Sequence, residues 1–462
     1  MRGIITATKL ASGFGENALA ALVKVGGISV LERHVRMLRK LKVREILVVS
    51  DKRSEALQSE IDSLSHLGLN VRMVWGDEEG KLDLSGTFAD NDDQPWMLME
   101  ASMIFDERLP TSWAKEKGVL VAVDEKRKED SAKLIQINAE GAKEGDVFIG
   151  CSLLAAGAVK DLKVGAGLAW LKEFLEDQLS EGAGKIARLD DLPISEGAGK
   201  VVRLDDLPKY SYDMRRYQDY IWMTVNEKSD NRRGKKMLLD WAQKSVLDWP
   251  AWYLHRPIEK FIIYYLCEYR VTPNQLTVLN NIVAFAAMGL FAFGFMIPGL
   301  ILALSVGVLD GLDGKQARTK LMSSKWGQLE ELFDKIYENG WYLAFAYYFA
   351  GTMESPFPYV LFWIIFTINM LEILVGLVFR FTRGVQLDDM GPFERKFRLI
   401  AGRRNTYMWA LVPFFLLAYF YNMSDFYYFG FIAIVGYSIV SFIVHFWRAA
   451  YHIVNKTEQR IP

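Results

Sequence analysis

Two aspartates stand near the end of a long apolar run, in the stretch "VLDGLDGKQAR" at residues 308–318. On a helix, Asp310, Asp313, Gly314 and Ala317 fall at positions i, i+3, i+4 and i+7 and share one face. Two neighbouring carboxylates repel one another unless a cation lies between them. Mg²⁺ and Mn²⁺ prefer oxygen ligands, and Mg²⁺ commonly combines carboxylates with substrate phosphates. The pattern therefore predicts a divalent metal site with space beside it for a phosphorylated ligand.

A second acidic stripe follows in "WGQLEELFDKIYENGWY", where Glu330, Asp334 and Glu338 are separated by steps of four residues. This spacing places the three carboxylates on one helix face, where they could approach the first pair. The alternative is a solvated face on which the acids pair with nearby lysines, and that alternative is favoured for Glu331. The two stripes together indicate a metal site at a membrane surface.

The helices that carry these residues belong to an apolar C-terminal half, residues 274–462, in which we expect an all-α bundle. Each predicted span has about the 20 residues that a bilayer needs. The loops after spans one, three and five contain no Lys or Arg, whereas the segments before span one and after spans two, four and six are basic. By the positive-inside rule both termini are cytoplasmic. The predicted spans are residues 275–295, 296–317, 328–350, 357–379, 406–422 and 425–447.

The first half of the chain has a different pattern. Short apolar runs such as "EILVVSD" and "GVLVAVDE" alternate with helical patterns over residues 1–160, which predicts an α/β domain with a mostly parallel sheet. No signal peptide is recognisable, and two cysteines imply no disulfide framework. We therefore expect residues 1–230 to form a cytoplasmic domain. A net charge of -1 lacks the positive excess that is typical of a nucleic-acid-binding protein.

Two further segments lie between the halves. A tandem repeat with a period of 15 residues occupies residues 180–208, as "SEGAGKIARLDDLP" and "SEGAGKVVRLDDLP". Two copies are too few for a solenoid, and we interpret them as a hairpin-like or linker insertion. Residues 231–273 are polar, aromatic and basic, which is typical of a linker and an amphipathic helix in the headgroup zone.

The stretch at residues 308–318 resembles the signature of the CDP-alcohol phosphotransferases, D-x-x-D-G-x-x-A-R, then about eight residues, then G-x-x-x-D-x-x-x-D. The first half matches at every fixed position through Arg318, and Gly327 follows after eight residues. The second half departs from the pattern, because Glu331 and Lys335 stand where the family has aspartates. A register one residue earlier gives Glu330 and Asp334, and one three residues later gives Asp334 and Glu338.

The resemblance implies an enzyme that transfers a phospho-alcohol group from a CDP-alcohol to an acceptor hydroxyl and releases CMP. It further implies a six-helix homodimer, one or two Mg²⁺ or Mn²⁺ ions, and a role in phospholipid or phosphodiester-solute synthesis. Asp334 becomes the base that deprotonates the acceptor, with Glu338 as the alternative. The metal ligands carried over are Asp310, Asp313, Glu330 and Asp334. The residues bordering CDP are Asp310, Gly314, Ala317, Arg318 and Gly327.

The basic loop "FRFTRG…ERKFRLIAGRRN" belongs to the same resemblance. Its arginines could bind a phosphorylated acceptor such as an inositol phosphate. Contact with anionic lipid is an equally good interpretation of so basic a loop. The candidate residues are Arg380, Arg383, Arg403 and Arg404.

The N-terminal "LASGFGENALAALVKVGG" resembles the opening of the sugar-phosphate nucleotidyltransferases, a Rossmann-like fold with the signature L-A-A-G-x-G-x-R followed by P-K. Gly13, Gly15 and Lys24 match, but Asn17 replaces the arginine, and Ser102 stands where the family has a metal-binding aspartate. The resemblance thus implies a degenerate cytidylyltransferase-like domain. The whole arrangement is similar to archaeal fusions of inositol-phosphate cytidylyltransferase with di-inositol-phosphate-phosphate synthase.

Three functions follow from these patterns. The first is a membrane CDP-alcohol phosphotransferase with an inactive N-terminal domain. The second is a bifunctional enzyme whose N-terminal domain makes the CDP-alcohol from CTP. The third, from another class, is a transporter that binds ions through the intramembrane carboxylates.

Overall fold

The computed structural model describes residues 1–14, 18–77, 94–116, 118–125, 134–137, 142–143, 145–155, 162–181, 199–322 and 327–459. It separates the chain into two compact units. The first unit comprises Met1–Ser211, Tyr217–Trp241 and Thr319–Leu321. The second comprises Tyr212–Arg216, Ala242–Arg318 and Met322–Pro462.

The first unit is built on a seven-stranded sheet, in agreement with the predicted α/β class. Its strand order is β10-β8-β9-β6-β1-β4-β5. The strands of the unit and its border are β1 (Arg2–Thr6), β2 (Lys24–Val25), β3 (Ile28–Ser29), β4 (Glu45–Ser50), β5 (Asn70–Trp75), β6 (Trp96–Glu100), β7 (Met103–Phe105), β8 (Val119–Glu125), β9 (Asp146–Leu154), β10 (Gly199–Arg203), β11 (Tyr210–Ser211), β12 (Arg216–Tyr217) and β13 (Trp222–Thr224). Its helices are α1 (Val30–Lys40), α2 (Glu55–Ser63), α3 (Arg108–Ser112), α4 (Ala169–Glu181) and α5 (Lys228–Trp241).

The sheet is parallel where helices connect its strands. Strand β1 pairs in parallel with both β4 and β6, with Ile4 opposite Leu47 and Leu98. Strand β9 is antiparallel to β6 and β8. The strands are buried on both faces by separate apolar clusters, as expected for near-continuous apolar runs in a parallel sheet.

The second copy of the 15-residue repeat is part of this sheet. Gly199–Arg203 forms β10, which pairs in parallel with β8 at the sheet edge. Val202 and Leu204 are buried in the core, and Arg203 forms a buried ion pair with Asp146. The interpretation of the repeat as an insertion is therefore wrong for this copy, because its apolar side chains pack in the core. Residues 182–198 lie outside the described residues.

The second unit is helical, in agreement with the predicted class. It consists of α6 (Arg256–Leu266), α7 (Pro273–Ala292), α8 (Met296–Thr319), α9 (Gly327–Thr352), α10 (Phe357–Arg383), α11 (Pro392–Ile400), α12 (Arg404–Tyr421) and α13 (Asp425–Val454). A π-helical turn, Ala251–His255, leads into α6. Aromatic side chains fill the centre of the bundle, among them Trp341, Phe345 and Phe415.

Helix boundaries in this unit follow from local sequence. Thr272 caps α7 in a capping box with Gln275, and Pro273 occupies the first turn, where its missing N–H has no cost. Helix α10 ends at Gly384, whose positive φ of 72° suits a residue without a side chain. These local signals determine where the helices begin and end without any tertiary contact.

Four of these helices are long and apolar enough to cross a membrane among the described residues, namely α7, α8, α10 and α13. Helices α9 and α12 coincide with the third and fifth predicted spans but are not among the four. Helix α9 begins with the acidic stripe, and α12 begins with Arg404 and contains Pro413. Six spans and their orientation therefore stay predictions.

Candidate active site

The predicted acidic residues meet at one cavity of the second unit. The cavity has a volume of about 970 Å³ and is bordered by helices α8, α9, α10 and α12 together with the segment around α11. Asp310 and Asp313 reach it from α8 and Asp334 and Glu338 from α9, as the helical spacing predicts. The side chain of Glu330 and the surroundings of Gly327 lie outside the described part of α9.

Arg404 lies between the two acidic helices. Its Nη2 donates to Asp310 Oδ2 at 2.6 Å, and its Nη1 lies 3.5 Å from Asp334 Oδ1. Tyr337 donates its hydroxyl to Asp334 Oδ1 at 2.6 Å and accepts from Arg404. A single guanidinium thus lies close to both carboxylates and reduces the repulsion between them.

Asp313 is held from the neighbouring helix. Thr277 of α7 donates its hydroxyl to Asp313 Oδ2 at 2.8 Å. The side chain of Asp313 is buried, and it borders the same cavity as Asp310. The threonine belongs to "VTPNQLT", the segment that caps α7, so one short sequence both starts the helix and orients a carboxylate.

A buried ion pair joins α6 to α8. Lys315 Nζ lies 2.8 Å from Glu259 Oε2, and both side chains are less than a tenth exposed. Gly311 lies directly beneath the Glu259 carboxylate, where any Cβ would clash with it. The small residues of the signature therefore serve helix packing as well as ligand space.

The residues predicted to border CDP occupy different positions around the cavity. Gly314 and Arg318 line it, and Arg318 donates its Nε to the Ala242 carbonyl oxygen at 2.7 Å. A Cβ at Gly314 would lie 3.1 Å from Arg318 Nη1. Ala317 is on the same helix but is not among the residues that border this cavity.

The two described carboxylates of α9 that border the cavity differ in their surroundings. Asp334 faces the cavity with Tyr337 and Arg404 as partners. Glu338 also borders the cavity, but its Oε2 lies 3.0 Å from Lys335 Nζ and its side chain is almost fully buried. The accessible carboxylate at this position is Asp334.

The candidate acceptor arginines divide into two groups. Arg380, Arg403 and Arg404 border the cavity, whereas Arg383 donates to the backbone carbonyl of Thr457. Sequence reasoning missed Arg398 of α11, whose guanidinium also lines the cavity, 3.6 Å from Asp388. The amphipathic pattern "PFERKFRLI" was the available signal.

The donor set of the cavity suits a hard divalent cation. Asp310, Asp313 and Asp334 offer only oxygen ligands, which is the preference of Mg²⁺ and Mn²⁺. No three acidic, histidine or cysteine side chains converge on one point among the residues described here. Asp310 would have to exchange Arg404 for the metal.

The N-terminal loop residues belong to the first unit. Gly13 has a left-handed φ of 80°, Lys24 is exposed in β2, and Gly15 and Asn17 lie outside the described residues. Near the ends of β1 and β6, Thr6 donates to the buried Glu100 carboxylate. Burial raises the pKa of Glu100.

Lys9 follows β1 in the same region. Burial lowers the pKa of Lys9, and the nearby Glu100 carboxylate opposes that shift. Ser102 is buried, and its backbone N–H donates to Glu100 Oε1 at 3.0 Å. A carboxylate and an ammonium group are thus present where ligands bind in open α/β sheets, but the aspartate position holds a serine.

Residues 270–422 match the sequence model of the family described as CDP-alcohol phosphatidyltransferase. This segment includes Asp310, Asp313, Asp334 and Arg404. Residues 270–422 therefore form a CDP-alcohol phosphotransferase domain, which confirms the resemblance seen in the sequence. The domain and the apolar helices make the chain a membrane protein.

Relatives extend the likeness to the first unit. The chain is 26% identical over 453 residues to the "Bifunctional IPC transferase and DIPP synthase" of Archaeoglobus fulgidus, covering 94% of this chain and 82% of the relative. A protein of the same name from Aquifex aeolicus is 27% identical over 202 residues, but these are 43% of this chain and 45% of that protein. The chain thus spans less than half of the Aquifex relative.

Solved structures also resemble the chain. The inositol-1-phosphate CTP transferase from T. maritima has a TM-score of 0.34 at 13% identity, and the alignment covers 50% of this chain and 90% of that structure. HddC from Yersinia pseudotuberculosis has a TM-score of 0.32 at 11% identity, with 51% and 98% covered.

Proposed function

We propose that the chain transfers a phospho-alcohol group from a CDP-alcohol to the hydroxyl of an acceptor alcohol and releases CMP. The observation that carries this proposal is the single cavity bordered by Asp310, Asp313 and Asp334 within the family-matched segment. The acceptor oxygen forms a bond to the phosphorus that bears the alcohol. The bond from that phosphorus to the oxygen of CMP breaks, and the hydroxyl proton leaves.

Asp334 takes that proton. Its carboxylate faces the cavity, and the Tyr337 hydroxyl orients it from the adjoining turn of the helix. Positioned carboxylates act as general bases in this way. Arg404, which bonds Asp310 and lies beside Asp334, holds the two carboxylates in place before substrate binds.

A divalent ion would be held by Asp310, Asp313 and Asp334, with Glu330 as a further ligand. Such an ion offsets the charge of the bridging phosphates and of the leaving CMP. Gly314 and Arg318 border the CDP group on the same helix. Arg380, Arg398 and Arg403 supply positive charge for an anionic acceptor, because guanidinium groups match phosphate oxygens.

The surroundings of the reaction follow from the same proposal. We propose six spans with both termini in the cytoplasm, a homodimer, and a product in phospholipid or phosphodiester-solute synthesis. The donor is best sought among CDP-diacylglycerol, CDP-archaeol and CDP-inositol. Inositol 1-phosphate is the first acceptor to test.

The test is CMP release by the purified full chain with Mg²⁺ or Mn²⁺ and each of these donors. Asp310→Asn and Asp313→Asn should each lower the rate at least about a hundredfold, because each removes a charged ligand at the reacting phosphates. Removing the metal with a chelator should stop the reaction, and adding Mg²⁺ should restore it.

Asp425→Asn is the matched control, since it neutralises a carboxylate in the first turn of α13, away from the cavity. Full CMP release by Asp310→Asn would overturn the proposal. If the protein carried ions across liposome membranes and released no CMP from any donor, it would instead be a transporter.

A bifunctional enzyme is the second candidate, and the names of the relatives favour it. The same full chain would then release pyrophosphate from CTP and inositol 1-phosphate. Asp310→Asn should leave that release unchanged, because it lies in the other unit. Absence of pyrophosphate with this substrate pair would exclude the second activity for it.

A further inference from the structure

A hydrogen-bonded pair of a carboxylate and an imidazole borders the cavity, away from the signature residues. Glu372 of α10 and His445 of α13 both border it. His445 Nδ1 lies 3.0 and 3.1 Å from the two carboxylate oxygens of Glu372. Because a carboxylate accepts hydrogen bonds, Nδ1 carries a proton, and Nε2 is the ring nitrogen left for a ligand. No described residue forms a hydrogen bond to that Nε2.

Helix α10 presents a polar stripe to the same space. Asn369, Glu372, Gly376 and Arg380 border the cavity and are spaced by three or four residues, so they share one face of the helix. A Cβ at Gly376 would meet no atom within 4 Å. The stripe therefore has open space between its carboxylate and its guanidinium, where a ligand with both hydroxyl and phosphate groups could lie.

A second pair of the same kind in this unit shows what a purely structural pair looks like. His452 of α13 hydrogen-bonds Glu394 Oε1 through Nε2 at 2.8 Å and Thr457 Oγ1 through Nδ1 at 2.5 Å. Arg448 also donates to Glu394 Oε1, at 2.7 Å. Both ring nitrogens of His452 are thus satisfied within the protein, and neither His452 nor Glu394 borders the cavity.

The contrast assigns different roles to the two histidines. His445 lies two helical turns before His452 on the same helix and also pairs with a glutamate, but through Nδ1 rather than Nε2, and its other ring nitrogen is left for a ligand. The Glu372 side chain is 27% exposed, whereas that of Glu394 is 4% exposed. If the pair only joined two helices, we would expect its polar atoms to be hydrogen-bonded within the protein, as those of His452 and Glu394 are.

We infer that Glu372 and His445 form a subsite that binds hydroxyl groups of a polyol acceptor. The Glu372 carboxylate accepts from one hydroxyl while Nε2 of His445 accepts from its neighbour. Arg380, two turns further along the same face, fixes the acceptor's phosphate. An acceptor that lacks these hydroxyls leaves the polar groups unpaired, and such sites discriminate strongly against it. This inference rests on the proposed function and adds the two residues that recognise the acceptor's hydroxyl groups.

The experiment compares two acceptors, inositol 1-phosphate and glycerol 3-phosphate, with CDP-inositol as the donor and CMP release as the readout. Glu372→Gln and His445→Asn should raise KM for inositol 1-phosphate about tenfold or more, because each removes a hydrogen bond to the ligand. KM for the donor should stay within about twofold, since only acceptor contacts change. The preference for inositol 1-phosphate over glycerol 3-phosphate should fall by a similar factor.

His452→Gln is the matched control, because it changes the closed pair of the same helix. It should lower the thermal midpoint and leave both KM values unchanged. If Glu372→Gln and His445→Asn behave like His452→Gln, the pair only joins two helices and the inference is wrong. If the wild-type chain releases no CMP from any donor, the proposed function fails instead.

Discussion

The two carboxylates Asp334 and Glu338 show how far the role of a residue depends on its partners. Both are acidic, one helical turn apart on α9, and both border the cavity. Asp334 accepts from Tyr337 and is approached by Arg404, whereas Glu338 pairs with Lys335 and is nearly buried. A base needs access to its substrate, and Asp334 has it.

Asp334→Asn should therefore lower kcat by about 10²- to 10⁴-fold, which is the usual contribution of a positioned base. Glu338→Gln should lower kcat less than about tenfold, because the ion pair with Lys335 already occupies that carboxylate. Steady-state CMP release by the two variants measures the difference. A larger loss in Glu338→Gln would transfer the role of base to Glu338.

Helices α6 and α8 show how the signature segment is held in the second unit. Glu259 and Lys315 are buried against each other at 2.8 Å, and Gly311 gives the carboxylate its space. Two buried charges cost much desolvation free energy, so the pair matters chiefly through what happens when one partner is lost. The helix that carries Asp310 and Asp313 is therefore sensitive to a residue outside the family-matched segment.

Glu259→Gln should lower the free energy of unfolding by about 3 to 5 kcal/mol, because it leaves the Lys315 ammonium buried and unpaired. Changing both partners, as in Glu259→Leu with Lys315→Met, should recover most of the loss. Thermal unfolding in detergent measures both effects. Lys172→Gln, which removes an ion pair of 3.7 Å at the surface of α4, serves as the control and should cost less than about 1 kcal/mol.

At the scale of the whole molecule, the number of membrane spans and their orientation in the membrane are still predictions. Four helices meet the requirements for a span within the described residues, and α9 and α12 would complete six. An even number of spans places both termini on one side. The charge of the loops puts that side in the cytoplasm.

Cysteines introduced at Ser355 and Ser424 should therefore react with a membrane-impermeant maleimide in intact cells. A cysteine at the exposed Ser180 should react only after permeabilisation. The wild type is the background control, because both native cysteines are buried. Labelling of only one of the two loop positions in intact cells would contradict the six-span topology.

Much of the fold was predictable from local patterns. The helical face shared by Asp310, Asp313 and Gly314, the cap of α7 at Thr272 and the alternation of strands and helices before residue 160 depend on residues close together in the chain. Such features follow from periodicity and backbone preference, which need no knowledge of the rest of the molecule.

Other features depended on contacts between residues far apart. Arg404 contacts Asp310, which is 94 residues away in the sequence. His445 contacts Glu372, which is 73 residues away. The arginine was predicted to bind an acceptor, and its pairing with the signature carboxylate had no local signal. The second copy of the repeat looked like a linker because its strand pattern is short, and only the sheet edge beside β8 makes it part of the core.

Periodicity in the sequence thus established that two aspartates lie on one helix face. The tertiary fold established which side chains surround them, since packing brings Thr277 to Asp313, Arg404 to Asp310, and Asp334 to the same cavity, each from a separate helix. The physical reason is that a helix dictates its own faces through backbone geometry, whereas the partners of each face are selected by burial and charge across the whole bundle.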